Sequence, residues 1–349
     1  MTKNCFLGIL VLFLVLSHAQ AQSVKVTPLG SRTGEFCGLD RASMFEDPTG
    51  VQILYDPGFT VAGGTDPRLG AVHVILVSHG HGDHLGAGKL SHDPDAASAP
   101  CTFGFPTASA LPHSNAAEIG VAKNSAVIVG GNMASFLNGK MAALKGTPIP
   151  SCPGAGIANE LTVPRTTPCT GGLGISGKRT VTMEAGTPGV EITLVPANHD
   201  NSLSSGFLSE PVKSALAGDR LAGYLEPANG YILKFTNGLT VYLSGDTGFT
   251  GEMGTVVRDL YGANLAVMNI GDIFTLGPDE AAFAVKRLIK PKAVIPSHAN
   301  EAATAGGVVN LGTRTARFID AVEGIRVHVP RSSITMEFDR HGRCLIGCY

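Results

Sequence analysis

Apolar positions along this 349-residue chain come in short runs, not long stripes. Ile53-Leu54-Tyr55, Val74-Ile75-Leu76-Val77, Ile192-Thr193-Leu194-Val195-Pro196, Val241-Tyr242-Leu243 and Ala293-Val294-Ile295-Pro296 each end in Pro or run directly into Asp or Ser. Runs of this length with such flanks predict strands buried on both faces. Residues 231–235 and 239–243 flank Thr236-Asn237-Gly238, which predicts a hairpin whose Asn-Gly supplies positive φ at the turn. Gly277-Pro278-Asp279-Glu280 places proline and acids in the first turn of a helix over 281–290. Ala282, Val285 and Ile289 share one face of it, and Pro291 stops it.

Several of these runs end in metal-ligand residue types. His79-Gly80-His81-Gly82-Asp83-His84 follows Val77 directly, and a glycine-loosened loop at a strand end can fold imidazoles and a carboxylate around cations as no regular helix or strand could at this spacing. Downstream, His199, Asp246 and His298 each stand just beyond an apolar segment. A single His or Asp at a strand end is ordinarily a capped or solvated residue, but together the order HxHxDH, His, Asp, His is hard to obtain by chance.

With these residues the chain resembles the metallo-β-lactamase superfamily, over about residues 25–329. It resembles most the metal-dependent hydrolase branch that includes the ascorbate-phosphate lactonase, through Ile53-Leu54-Tyr55-Asp56-Pro57, Gly245-Asp246-Thr247-Gly248, the segment 269–278 and Ile295-Pro296-Ser297-His298. The resemblance implies an α/β fold, an αβ/βα four-layer sandwich with the site at one edge. It further implies that His79, His81 and His199 hold one divalent metal, that Asp83, His84 and His298 hold another, and that Asp246 bridges them. Zinc suits imidazole and carboxylate donors, and manganese or iron would also bind them. A hydroxide shared by two such ions would attack a carbonyl or phosphoryl centre, with Asp83 or a metal-bound water passing a proton to the leaving group. Asp56 reads either as a residue orienting a metal histidine or as a turn residue before Pro57. Phe274, Thr275 and Asn300 lie beside the site loops as candidate substrate contacts. Metallo-β-lactamases proper carry Cys or Ser where this chain has Asp246, which favours a lactone or ester hydrolase, with a phosphodiesterase as competitor. A metal- or partner-binding protein without turnover is a third reading, disfavoured by the intact ligand set.

Composition narrows this picture. With 44% hydrophobic and 15% charged residues the chain can bury a large core as one domain. A net charge of −2 and the lack of any Lys/Arg cluster argue against a nucleic-acid partner and leave a small molecule as the expected one. Lys3, the apolar run 6–16 and Ala19-Gln20-Ala21 follow the order of a secretory signal over 1–21, too short in its apolar part for a membrane anchor. The mature chain, 22–349, is thus expected to be exported, periplasmic or secreted, with no membrane attachment. Six cysteines remain in it, Cys37, Cys101, Cys152, Cys169, Cys344 and Cys348, enough for three disulfides among fifteen pairings. Two stretches, 86–180 and 201–227, read as insertions that wall or cover the site mouth. Within the first, the resemblance implies that Ala116 to Gly120 with Ala126 to Val129 keep the family's small helix and strand, and 148–168 reads as ordered loop. The oligomeric state leaves no mark, and His18, His73, His92, His113, His328 and His341 receive no catalytic role.

Overall fold

In the computed structural model, which describes residues 22–348, the short apolar runs become strands of two eight-stranded mixed sheets. The amino-terminal signal read at 1–21 lies outside the described residues. The first sheet is ordered Cys344–Ile346, Met336–Phe338, Val24–Pro28, Ser43–Glu46, Gln52–Tyr55, Val74–Leu76, Ala126–Gly130, Cys169–Leu173. The second runs Arg326–Val327, Ala293–Ser297, Leu265–Asn269, Thr240–Leu243, Asn229–Lys234, Val190–Pro196, Lys178–Thr182, Leu161–Thr162.

Strand alternation explains why the runs are apolar throughout. Ile53, Tyr55, Val74 and Leu76 point into a core shared with Ile192, Leu194, Tyr231, Leu233, Val241, Leu243, Val267 and Ile295 of the other sheet. Their neighbours Leu54 and Ile75 point the opposite way, onto helices Asn115–Ala122 and Gly131–Lys145 through Ile119, Met133, Leu137 and Met141. The outer face of the second sheet, with Ile232, Tyr242, Ala266, Met268 and Val294, is covered by Met253–Arg258, Pro278–Ile289 and Arg314–Ala321. The layers are therefore helix, sheet, sheet, helix, and the central strands are buried on both faces, while the edge near Val24–Pro28 carries partly exposed charges such as Lys25 and Glu46.

The expected hairpin forms with Tyr231 opposite Leu243, and Gly238 carries the positive φ of its turn, +96°. The expected helix starts at Pro278, widens into π-helical turns over Ala284–Ile289 and ends at Lys290, φ +52°, before Pro291. The stretch 86–180 is more regular than an inserted loop. It supplies two helices and the strands Ala126–Gly130 and Cys169–Leu173, which extend the first sheet, and Lys178–Thr182, which extends the second. Helix Gly131–Lys145 was unexpected, because Gly, Ala, Asn and Ser dilute its apolar face, yet Met133, Leu137 and Met141 stand at four-residue intervals on the buried side. Residues 148–168 remain mostly irregular and are tied back by Cys152–Cys169. The other cysteines pair as Cys37–Cys101 and Cys344–Cys348. Among the described residues no helix is long and apolar enough to cross a membrane.

Candidate metal centre

The site forms where strands of both sheets end side by side. Val74–Leu76 leads into Val77, Ser78 and the histidine loop, in which the amides of His84 and Leu85 bond the His81 carbonyl and that of Ala87 bonds Gly82. This single wide turn closes at Gly86, φ +86°, where an added Cβ would sit 2.4 Å from Cβ of Asn115. From the other sheet, Val190–Pro196 delivers His199, Thr240–Leu243 delivers Asp246 and Ala293–Ser297 delivers His298. Tyr231 links the two sources, its hydroxyl donating to the Val77 carbonyl at 2.8 Å.

All seven expected ligands converge. Oδ2 of Asp246 lies 4.0 Å from Nε2 of His79, 3.4 Å from that of His84, 3.7 Å from that of His199 and 2.9 Å from that of His298. Two trios, His79/His81/His199 and Asp83/His84/His298, each bring their donor atoms within 4.8 Å of one another, and Asp246 lies between them. Oδ1 of Asp246 and Nε2 of His79 and His84 are buried with no hydrogen-bond partner. Orphaned donor atoms of this kind, aimed at one another across a small gap, fit bound cations, because a buried polar atom otherwise finds a partner.

The far sides of the ligands are held. Nδ1 of His84 is 2.8 Å from Asp56 Oδ2, and the Ser78 amide and hydroxyl both donate to Asp56 at 2.8 Å. Asp56 therefore orients a ligand histidine as well as occupying the turn, with φ +43°. Nδ1 of His79 lies 3.0 Å from Ser78 Oγ, Nδ1 of His199 lies 3.1 Å from the Phe274 carbonyl, and Nε2 of His81 faces Asp200 at 3.4 Å. Positive φ recurs here at His298 (+54°), Asn300 (+56°) and the β-branched Ile273 (+63°), backbone strain of the sort that functional sites retain.

Electrostatics follow from this packing. Burial and the adjacent His84 hold His79 well below the usual imidazole range, and burial lowers His199 too. Burial works against the charged form of His84, but the carboxylates of Asp246, Asp83 and Asp56 outweigh it and push the group up to about 10. Burial opposes ionisation of Asp83 and Asp246 as well. Arg41 and His84 overcome it at Asp83, as His298 and His84 do at Asp246, so both lie well below the usual carboxylate range.

A cleft of about 740 Å³ opens above this floor. His81, Asp83, His199, Asp246 and His298 line its base, with Arg41 and Asn300 to one side. Phe103, Ile273 and Phe274 form its lip and are 57%, 79% and 78% exposed. The structure thus places Phe274 and Asn300 at the cleft. Thr275 is instead turned toward the Leu276 carbonyl, 3.4 Å away, and is not among the lining residues. The stretch 86–180 contributes Phe103, whereas 201–227 packs behind the histidine loop: the Gly80 amide donates to Asn201 Oδ1, and Leu225 lies against Gly80.

Sequence reasoning missed Arg41, Asp200 and Ser78. Asp200 and Ser78 adjoin metal-type histidines and could have been found by asking which neighbour accepts the second ring N–H. Arg41 carried no local signal.

Two mixed sheets with ligands at their adjoining strand ends define a β-lactamase-type metallohydrolase. The beta-lactamase superfamily domain profile matches residues 39–298, and the chain belongs to that superfamily. Within it, the chain belongs to the UPF0173 metal-dependent hydrolases. It is 30% identical over 272 residues to such a hydrolase of Cupriavidus taiwanensis, covering 76% of this chain and 74% of that protein. A second, from Polynucleobacter asymbioticus, is 25% identical and covers 94% of each chain. Among solved structures, a metallo hydrolase of the archaeon Ignicoccus hospitalis aligns over 91% of this chain and 99% of its own, with a TM-score of 0.55 and 20% identity, a likeness of fold.

Proposed function

We propose that this metal-dependent hydrolase is an exported enzyme that opens a lactone or carboxylic ester bearing an apolar group, with two divalent metal ions, zinc by preference, in the two trios. The observation that carries this reading is the contrast within the cleft: a polar floor of imidazole and carboxylate lies under a lip of three large apolar side chains. An ester or lactone offers both a polar centre for that floor and an apolar remainder for Phe103, Ile273 and Phe274. When bound, the cations supply Lewis acidity and bring the pKa of a bound water down to about 7.

The protein groups divide the remaining work. His79, His81 and His199 would hold one ion, Asp83, His84 and His298 the other, with Asp246 shared. Asp56, Ser78, Asp200 and the Phe274 carbonyl fix ring orientation. Asp83 lines the cleft in its ionised form. It is placed to take the proton that water loses as its oxygen bonds the carbonyl carbon, and to return it to the alkoxide oxygen as the carbon–oxygen bond breaks. Export rests on the pattern at 1–21 and accords with the paired cysteines.

The test is hydrolysis by the chain from Gln22 of a panel of aliphatic and aromatic lactones, carboxyl esters, phosphodiesters and a β-lactam, with metal content measured on the same sample. Turnover of lactones or esters that improves with apolar chain length supports the reading. Preference for phosphodiesters would move it to the competitor, and a metal-loaded protein inert on the whole panel would overturn catalysis itself.

A further inference from the structure

Arg41 stands against only one of the two metal positions. Its Nε lies 2.9 Å from Asp83 Oδ2, and its Nη2 lies 2.9 Å from His298 Nε2 while donating to Asn300 Oδ1 at 2.9 Å. Its side chain is 2% exposed, so the charge is buried among the donor atoms that a cation would need. The His298 Nε2 atom is also the one that faces Asp246, and so is the nitrogen on the ligand side of the ring.

The guanidinium is not free to leave. Its Nη1 reaches the Gly38 carbonyl, and the backbone just before it is fixed by Asp40, whose carboxylate accepts from the amides of Ser31 (2.9 Å) and Cys37 (2.8 Å). Cys37 is bonded to Cys101, which anchors the same loop from the other side. The His79/His81/His199 trio has different surroundings. The groups on the outer ring nitrogens of its histidines are the Ser78 hydroxyl, the Asp200 carboxylate and the Phe274 carbonyl, and none is a cation.

We propose that Arg41 makes the two metal positions unequal: the three-histidine position binds its ion tightly, and the Asp83/His84/His298 position binds far more weakly because a fixed guanidinium competes for Asp83 and His298. This rests on the reading of the seven residues as metal ligands. A cation entering the second position takes two of its donors from Arg41 and then sits a few ångströms from a buried positive charge, a repulsion large enough to separate the two affinities by at least about ten-fold.

The experiment is a zinc titration of the metal-stripped chain from Gln22 against a chromophoric chelator, followed as stoichiometry and affinity and not as turnover. Wild type should show one tight zinc and a second at least about ten-fold weaker. Arg41→Met, which keeps an apolar stem of similar reach, should strengthen the second by a comparable factor and leave the first unchanged. Two zinc ions bound with one affinity in wild type, or an unaltered gap in folded Arg41→Met, would overturn the proposal. The wild-type isotherm needs no variant, and Arg41→Gln replaces Arg41→Met if near-ultraviolet circular dichroism shows the latter unfolded. His199→Ala is the separate control: a tight zinc that survives it refutes the ligand assignment, whereas equal binding of two ions refutes only the role of Arg41.

Discussion

Among the described residues, two clusters bring metal-type donor atoms within 4.8 Å of one another, yet they are chemically opposite. One is the histidine and aspartate set at the strand ends. The other is His328 with Cys344 and Cys348, in a cleft lined also by Lys292, Arg326 and Arg343. Lys292 precedes the strand whose far end delivers His298, so a single strand has one cluster at each end. In the first, four carboxylates, Asp56, Asp83, Asp200 and Asp246, surround the imidazoles and several donor atoms lack partners. In the second, the sulfurs are bonded to each other and three cations line the walls, while burial and Arg326 hold His328 below its ordinary range. Proximity of donors is therefore common to both. Compensating charge and unsatisfied valence distinguish a metal centre from a coincidence.

The strongest way to break this contrast is Asp246→Ala, which removes the carboxylate common to four histidines. Both metal content and turnover should fall, turnover by more than the roughly hundred-fold seen for outer partners of ligands. Wild-type turnover in that variant would remove Asp246 from the centre. Asp56→Ala leaves every candidate ligand in place and removes the support of His84 together with the acceptor of the Ser78 amide and hydroxyl, so metal affinity should drop about 10- to 100-fold, measured by chelator competition.

Asp40 sharpens the comparison differently, as a buried carboxylate that serves no cluster directly. Burial outweighs the amides of Cys37 and Ser31 and raises it to about 6 from 3.8. A carboxyl whose folded pKa exceeds its unfolded one stabilises the protonated protein, fully below the unfolded value, and this benefit is lost as pH rises through the folded one. Urea midpoints should therefore report a loss of up to about 3 kcal/mol between pH 4 and above pH 6 from this group. In Asp40→Asn that segment of the profile should flatten; an identical profile would show that Asp40 titrates normally.

The smallest effects belong to the second cluster. His328→Ala should leave metal content and turnover as in wild type, and Cys344→Ser with Cys348→Ser should cost about 2 kcal/mol or less, since the loop they close is short. Metal lost from either variant would mean that proximity alone does make a site here.

How legible each part was depends on how local its cause is. The strands and the seven candidate ligands could be read because all seven follow the ends of only four apolar runs, and doubly buried strands are apolar at every position. Helix Gly131–Lys145 was hidden by small residues that pack well but give little contrast, and Cys169–Leu173 by Gly171 and Gly172 within the strand. Arg41 was invisible for another reason. Its partner His298 is 257 positions away, and no pattern near Arg41 distinguishes it from a solvated arginine at a strand's start. Thr275 shows the converse: nearness in sequence to Phe274 did not turn its side chain into the cleft.

The candidate ligands come from both sheets, and that would give a metal-loaded centre a mechanical role. His79 to His84 belong to one half of the sandwich, and His199, Asp246 and His298 to the other, with Tyr231 hooking the two beneath them. A bound ion is thus a clasp across the seam, closed only when the halves are docked. Chelation should be felt as easier parting of the halves and faster unfolding, and a flaw in the distant inter-sheet packing should be felt first as a loosened grip on the ion.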